Sequence, residues 1–216
     1  VAFARIVAGQ SDIALVGGSY NGERADSLMF FEFADLALKD RFVPVWERTG
    51  RGGVALGSIG AFLVIEARAH AEARGAKPLA KLTAVASDRS KRAPGDVTAA
   101  LSRLWEKFSG KIDGGQIAVL SGTAGSGPAT GEERAFLAAH ADLAVRATGS
   151  YLGHGPEAQF PMNIALAAVA LGHASLFPPC DKTGLERPMS GELKQIAVTG
   201  VGHWRGEGLA LVEKAE

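Results

Sequence analysis

The sequence predicts an α/β fold, and three observations predict it. Segments of strand character alternate with segments of helical character along the chain. Glycine occurs 28 times in 216 residues, which suits many tight turns better than a helical bundle. Hydrophobic residues make up 47% and charged residues 21%, so the chain has the material for a real core and is not a disordered segment.

The elements follow in order. Val1 to Gly9 is apolar and alanine-rich and reads as the last turns of a buried helix stopped by Gly9. Ser11 to Gly18 (SDIALVGG) is a continuous apolar run, the pattern of a buried strand ending in a tight turn at the glycine pair. Ala25 to Leu38 reads as a helix with Leu28, Phe31 and Leu38 on one face, although Asp35 interrupts that stripe. Val43 to Gly53 is a loop, Val54 to Ile65 most simply a strand, Glu66 to Gly75 a helix with a glycine stop, and Leu79 to Ser87 another strand. After a charged loop at Lys91 to Gly95, Asp96 opens a helix to about Ser109 and caps it with its own side chain. Gln116 to Leu120 is a short strand, Ser121 to Gly131 (SGTAGSGPATG) a glycine-rich loop, and Glu132 to Leu143 a helix. Asn163 to Gly172 is a further helix, and Gln195 to Gly202 with Gly208 to Glu213 are the strands of a hairpin.

Charge and composition exclude several functions. Lys+Arg and Asp+Glu are 23 each, so no strongly basic surface for nucleic acid or an anionic membrane is indicated, although a local patch stays open. The single cysteine, Cys180, excludes an internal disulfide and a Cys-based metal cluster, and fits a reducing compartment. No His/Cys/carboxylate set has metal-ligand spacing; His70, His140 and His173 are scattered. The glycine-rich stretches lack both Gly-Lys-Ser/Thr and the dinucleotide spacing. No apolar run reaches the ~20 residues of a membrane helix; the longest, Ile164 to Leu176, contains His173. VAFARIVAG has no basic n-region or cleavage site, so it is not a signal peptide, and Val1 reads as a cut or processed end. A cytoplasmic location is expected.

Five segments, in this order, resemble the β-ketoacyl-acyl-carrier-protein synthases of the thiolase superfamily. They are GQSDIALVGGSYN, GGVALGSIGAFLVIEARAHAEARGAKPLAKL, SGTAGSGPATGEERA, GHGPEAQFPMNIALAAVALGHASLFPP and VTGVGHWRGEGLALV. The second carries the family's Gly-rich strand, Glu, and helix ending in Ala-Arg-Gly-Ala; the fourth carries its Gly-His, long helix and Pro pair. The third sits where the family has a His-Gly-Thr-x-Thr-Pro loop, and the fifth replaces a Gly-Phe-rich terminal hairpin. The resemblance implies an αβαβα layered sandwich of two similar halves, about twice as long as this chain. Residues 1–50 would be the end of the first half and residues 51–216 the second half.

The resemblance also implies a chemistry, decarboxylative condensation on carrier-protein thioesters, with acyl carrier protein and acyl and malonyl thioesters as partners. A homodimer, or a heterodimer with an active synthase, is expected, with no cofactor, no metal, no nucleic acid and no membrane span. The family's cysteine takes the acyl group, and a helix N-terminus suits it by lowering the thiol pKa. That cysteine is expected roughly ten residues before Val1. Cys180 follows Phe177-Pro178-Pro179 with no helix start or base nearby and reads as an ordinary loop thiol. The slot of the first family histidine falls on Ser121, followed by matching Gly122 and Thr123. A serine can donate a hydrogen bond but cannot carry a cation near neutral pH, and no Gly-x-Ser-x-Gly elbow surrounds it. The second histidine is kept as His154, either a working residue or a buried histidine that holds its loop. The family's lysine and glutamate slots fall on Gly149 and Asn163, a joint loss that avoids an orphan buried charge. His203 and Trp204 either fill the mouth of an acyl pocket or repack the hairpin loop, and Glu157 is either a base or an exposed first-turn carboxylate.

Three functions follow from this reading: a synthase that extends acyl chains, a degenerate synthase that partners an active one in the manner of a chain-length factor, or a structural half whose apolar face needs a cover.

Overall fold

A computed structural model describes residues 1–39, 41–113, 116–202 and 205–215. The order is α1 (Ala2–Val7), β1 (Ile13–Tyr20), α2 (Ala25–Phe33), β2 (Ile59–Glu66), α3 (Arg68–Ala73), β3 (Ala80–Asp88), α4 (Asp96–Glu106), β4 (Ile117–Ser121), α5 (Gly127–Ala138), β5 (Ala144–Ala147), α6 (Gly149–Leu152), α7 (Gln159–Gly172), β6 (Gln195–Val201) and β7 (Glu207–Lys214). Helices and strands alternate as predicted, and they form two sheets. β1 and β2 pair antiparallel, and the larger sheet runs β3-β7-β6-β4-β5. In it β4 is parallel to β5 and β6, while β7 is antiparallel to both β6 and β3.

The strand sequences explain the layers. β4 (Ile117–Ser121) is buried throughout, as a parallel strand covered on both faces must be. Its alternate residues serve opposite faces. Ile117 and Val119 join Leu101, Leu104, Phe136 and Leu137 of α4 and α5, while Ala118 and Leu120 join Ala167, Ala170 and Leu171 of α7. α7 also meets the two-stranded sheet, where Ile59 of β2 packs with Ala158 and Met162. A helix pressed between two sheets has no polar face to keep, which is why Ile164 to Leu171 lacks a polar residue. The outer face of β1–β2 stands open, with Leu15, Phe62 and Val64 60–70% exposed.

Several expectations are corrected. α1 buries none of its residues. β1 is half exposed and runs through the glycine pair to Tyr20, because Gly17 and Gly18 pair with Phe62 and Ala61 instead of turning. α2 stops at Phe33; Asp35 takes a left-handed φ of 57° and Ala37 bridges Val54. The strand expected from Val54 begins only at Ile59, and Leu56 bridges His154. Asp96 does not cap α4. Its carboxylate accepts from Ala93 N–H (3.0 Å), while Glu132 of α5 accepts from the N–H groups of Gly95 (3.0 Å) and Val97 (2.8 Å). The glycine-rich loop ends at Ser126, where α5 begins, and α7 begins at Gln159 rather than Asn163. β5 and α6 were not foreseen, since the charge of Arg146 interrupts the apolar pattern of β5. The terminal hairpin is as expected.

Candidate functional site

The residues from the resemblance gather at the carboxyl ends of the parallel strands β4, β5 and β6, where open α/β sheets bind ligands. Ser121 ends β4 and lies opposite Thr199 of β6. Both hydroxyls donate to Oε1 of Glu133, Ser121 at 2.8 Å. The Thr123 N–H donates to Ser121 Oγ (3.2 Å), and the Thr123 and Thr130 hydroxyls share a hydrogen bond (3.1 Å). From the loop after β5, Thr148 Oγ1 donates to Asn163 Oδ1 (2.8 Å) and accepts from Gln159 Nε2 (2.8 Å). Gln159 Oε1 in turn accepts from the Gly155 N–H (3.1 Å). Every one of Ser121, Thr123, Glu133, Thr148, Gln159, Asn163 and Thr199 is buried. Such a network fixes one arrangement of its members, because an unmet polar group is costly here.

Glu133 is the residue that sequence reasoning missed. Its position in GEERA reads as a solvated helix face, yet its side chain is fully buried and Oε2 makes no hydrogen bond within the described residues. Burial raises its carboxyl pKa, against the hydrogen bonds from Thr199, Ser121 and Thr123. A raised folded-state value means that the folded protein binds this proton more tightly than the unfolded chain. Stability is therefore lost as pH rises from the ordinary carboxylate range through the raised value. Urea unfolding between pH 5 and 8 should show the wild type losing stability relative to Glu133→Gln, which cannot ionise. Parallel curves would mean that Glu133 is already charged at the lower pH.

His154 is buried, and its backbone is held on both sides. Its N–H donates to Ala55 O (2.8 Å), and its carbonyl accepts from the Gly57 N–H (3.1 Å). It joins the network through its neighbour, Gly155. Gly122 sits against Asn163: a Cβ there would lie 3.2 Å from Nδ2 and 2.8 Å from Thr199 O. A Cβ at Gly149 would lie 3.3 Å from Thr123 O, so the lysine and glutamate slots flank the same loop. Glu157 is exposed. Cys180 is partly buried and its thiol pKa is raised, by burial first and by Glu186 second, the reverse of an activated nucleophile. His203 and Trp204 lie outside the described residues.

Two cavities flank this region. One, of about 270 Å³, is walled by Leu28, Phe31, Leu38, Phe42, Val54 and Leu56 with two alanines and has no polar side chain in its lining. The other, of about 540 Å³, lies between the Val45–Gly52 loop and the start of α5. Among the described residues no group of three His, Cys, Asp or Glu is placed to hold a metal ion, and no helix is long and apolar enough to cross a membrane.

No protein-family model matches the sequence, and no curated protein matches it. Solved structures do match. The ishigamide ketosynthase/chain length factor is 19% identical with a TM-score of 0.81, over 99% of this chain and 57% of that one. The ketosynthase AntDE, solved with its type II PKS acyl-carrier protein AntF and bound to the hexaketide, is 16% identical at 0.80, over 100% and 59%. A β-ketoacyl synthase from Burkholderia phymatum is 17% identical at 0.80, over 100% and 58%. At these identities the likeness is one of fold, and the resemblance seen in the five sequence segments holds at that level. The chain has the thiolase-like fold of the ketosynthases and spans a little under three fifths of the length of these three chains.

Proposed function

We propose that this is a ketosynthase-like protein of fatty-acid or polyketide biosynthesis, which handles acyl groups as carrier-protein thioesters in the cytoplasm and works as a dimer. The supporting observation is a ketosynthase fold along the whole chain with a cavity of about 270 Å³ lined by apolar side chains, which an acyl chain would suit. The break between the two sheets falls at Glu66 to Ala80, later than the boundary at residues 50 and 51 that the resemblance implies, so the division into the end of one half and a second half rests on the resemblance. In the complete polypeptide a cysteine upstream of Val1 would take the acyl group. His154 would stabilise the enolate left when malonyl-carrier protein loses carbon dioxide, with Ser121 and Thr123 as the other catalytic positions and Gly122 as a substrate-binding one. The reaction requires no cofactor.

A second reading, a non-condensing partner subunit, is favoured by one observation. Ser121 is fully buried with its hydroxyl committed to Glu133, so this slot offers no proton carrier. Condensation by the complete polypeptide, assayed with acyl- and malonyl-carrier protein, separates the two. A synthase should form ketoacyl product and lose about 100-fold or more of that rate in His154→Ala. No product, together with a stable complex with an active synthase and its carrier protein, establishes the partner subunit. Neither product nor complex sinks both readings.

A further inference from the structure

Two arginines at the 540 Å³ cavity form no ion pair with a described carboxylate, although the Arg48 guanidinium lies over the Phe42 ring, 5.6 Å from its centroid. Arg48 lies in its wall and donates only to backbone carbonyls: Nε to Val43 (3.2 Å), Nη1 to Gly53 (2.7 Å) and Ala124 (3.2 Å). Its Nη2 is buried without a hydrogen-bond partner among the described residues. Burial alone draws its pKa down to about 10, so it stays charged at neutral pH. Arg134, exposed on α5 at the same cavity, donates only to Trp46 O (3.4 Å). Neither arginine forms an ion pair with a described carboxylate. The third arginine, Arg51, pairs with Asp35, the cavity's one acidic residue, which also pairs with Lys39. Arg48 is partly buried, and a cation drawn out of water without a counter-charge is costly; the simplest relief is an anion.

A second, independent feature points to the same ligand. Ser126 is the N-cap of the 12-residue helix α5, lines the cavity and is 6% exposed, yet its side chain makes no capping hydrogen bond. An N-cap hydroxyl ordinarily accepts from the N–H of the second or third helical residue; here the second is Pro128, which has none, and the hydroxyl makes no bond to the third, Ala129. The hydroxyl therefore remains available at the positive end of the helix dipole.

We propose that this cavity binds a phosphate-class anion, through the charges of Arg48 and Arg134 and the hydroxyl of Ser126. Donors from a loop, from α5 and from its N-cap line one cavity, and an oxyanion with three or four acceptor oxygens can use them all. The volume leaves room for an organic group against Trp46 and Leu36. None of these residues belongs to the Ser121–Glu133 network or to the apolar cavity, so the site stands whether or not the protein handles acyl thioesters.

The test is calorimetric titration of the purified protein with inorganic phosphate and with phenyl phosphate at low ionic strength, with acetate as control. Saturable binding near about 1 mM or tighter is expected, weakened about tenfold in Ser126→Ala and in Arg134→Gln. Both variants should melt within about 2 °C of the wild type, since Ser126 caps nothing and Arg134 is exposed. Tighter binding of phenyl phosphate identifies an organic phosphomonoester as the ligand, and equal binding identifies free phosphate. The site is overturned if phosphate fails to saturate, if acetate gives the same response, or if both variants bind like the wild type.

Discussion

Gly57→Ala is expected to cost about 3–5 kcal/mol of stability, or to prevent folding. A Cβ at Gly57 would stand 2.0 Å from Leu152 O and 3.0 Å from Leu152 C, with Gly153 Cα at 3.1 Å. All three are backbone atoms, so no rotamer change relieves the clash. The facing residue, Gly153, has a φ of 71°, and a Cβ there would meet Gly57 N at 2.8 Å. Two glycines thus let two chain segments touch, and that contact sets the hydrogen bonds holding His154 between Ala55 and Gly57. Gly60→Ala is the control, because its nearest neighbour would be Ser19 Cβ at an ordinary 3.7 Å, and it should cost less than about 1 kcal/mol. Equal urea midpoints for the two variants would show that the junction yields and does not fix His154.

The second large effect is expected from Arg146→Ala, again about 3–5 kcal/mol. Arg146 is 1% exposed, and its guanidinium donates to the carbonyls of Phe177 (2.7 Å), Arg187 (2.8 Å) and Val145 (2.6 Å). Two of those carbonyls belong to the long segment between α7 and β6, which carries little secondary structure of its own. Glu186, buried beside it, accepts from the N–H groups of Ala147 (2.7 Å) and Cys180 (2.8 Å). Together the two side chains strap that segment to the end of β5. Loss of Arg146 leaves three carbonyls unmet and removes a positive charge that offsets the burial of Glu186. Trypsin should then cut after Lys182 much faster than in the wild type. The exposed Arg68→Ala should change stability by less than about 0.5 kcal/mol. Equal cleavage of wild type and Arg146→Ala would show that the strap is not held there.

Much of the fold was legible because its strands and helices differ in period. The run QIAVL reads as a short strand and the run from Asn163 to Gly172 as a helix, and both are found. What misled was apolar sequence without burial. β1 reads as an interior strand although only one of its faces is packed, because composition does not say whether a cover is at hand. β5 was hidden by Arg146, whose burial depends on carbonyls more than thirty residues further along. At the site, Ser121, Gly122 and Thr123 were found by their neighbours in sequence, whereas Glu133 was not, since its partners Ser121 and Thr199 come from two strands. The cap of α4 failed for the same reason: Glu132 reaches it from another helix.

The strand order β3-β7-β6-β4-β5 has a consequence for how the molecule is made. Its middle positions belong to β6 and β7, which leave the ribosome after every other strand described. β3 waits for a partner more than a hundred residues downstream, and β4 has only the short β5 beside it until β6 arrives. Closing such long loops is slow, and the apolar edges of the waiting strands stay open to other chains meanwhile. Premature termination anywhere before Gln195 therefore removes the centre of the sheet rather than its margin, and leaves fragments prone to aggregate instead of a smaller folded protein.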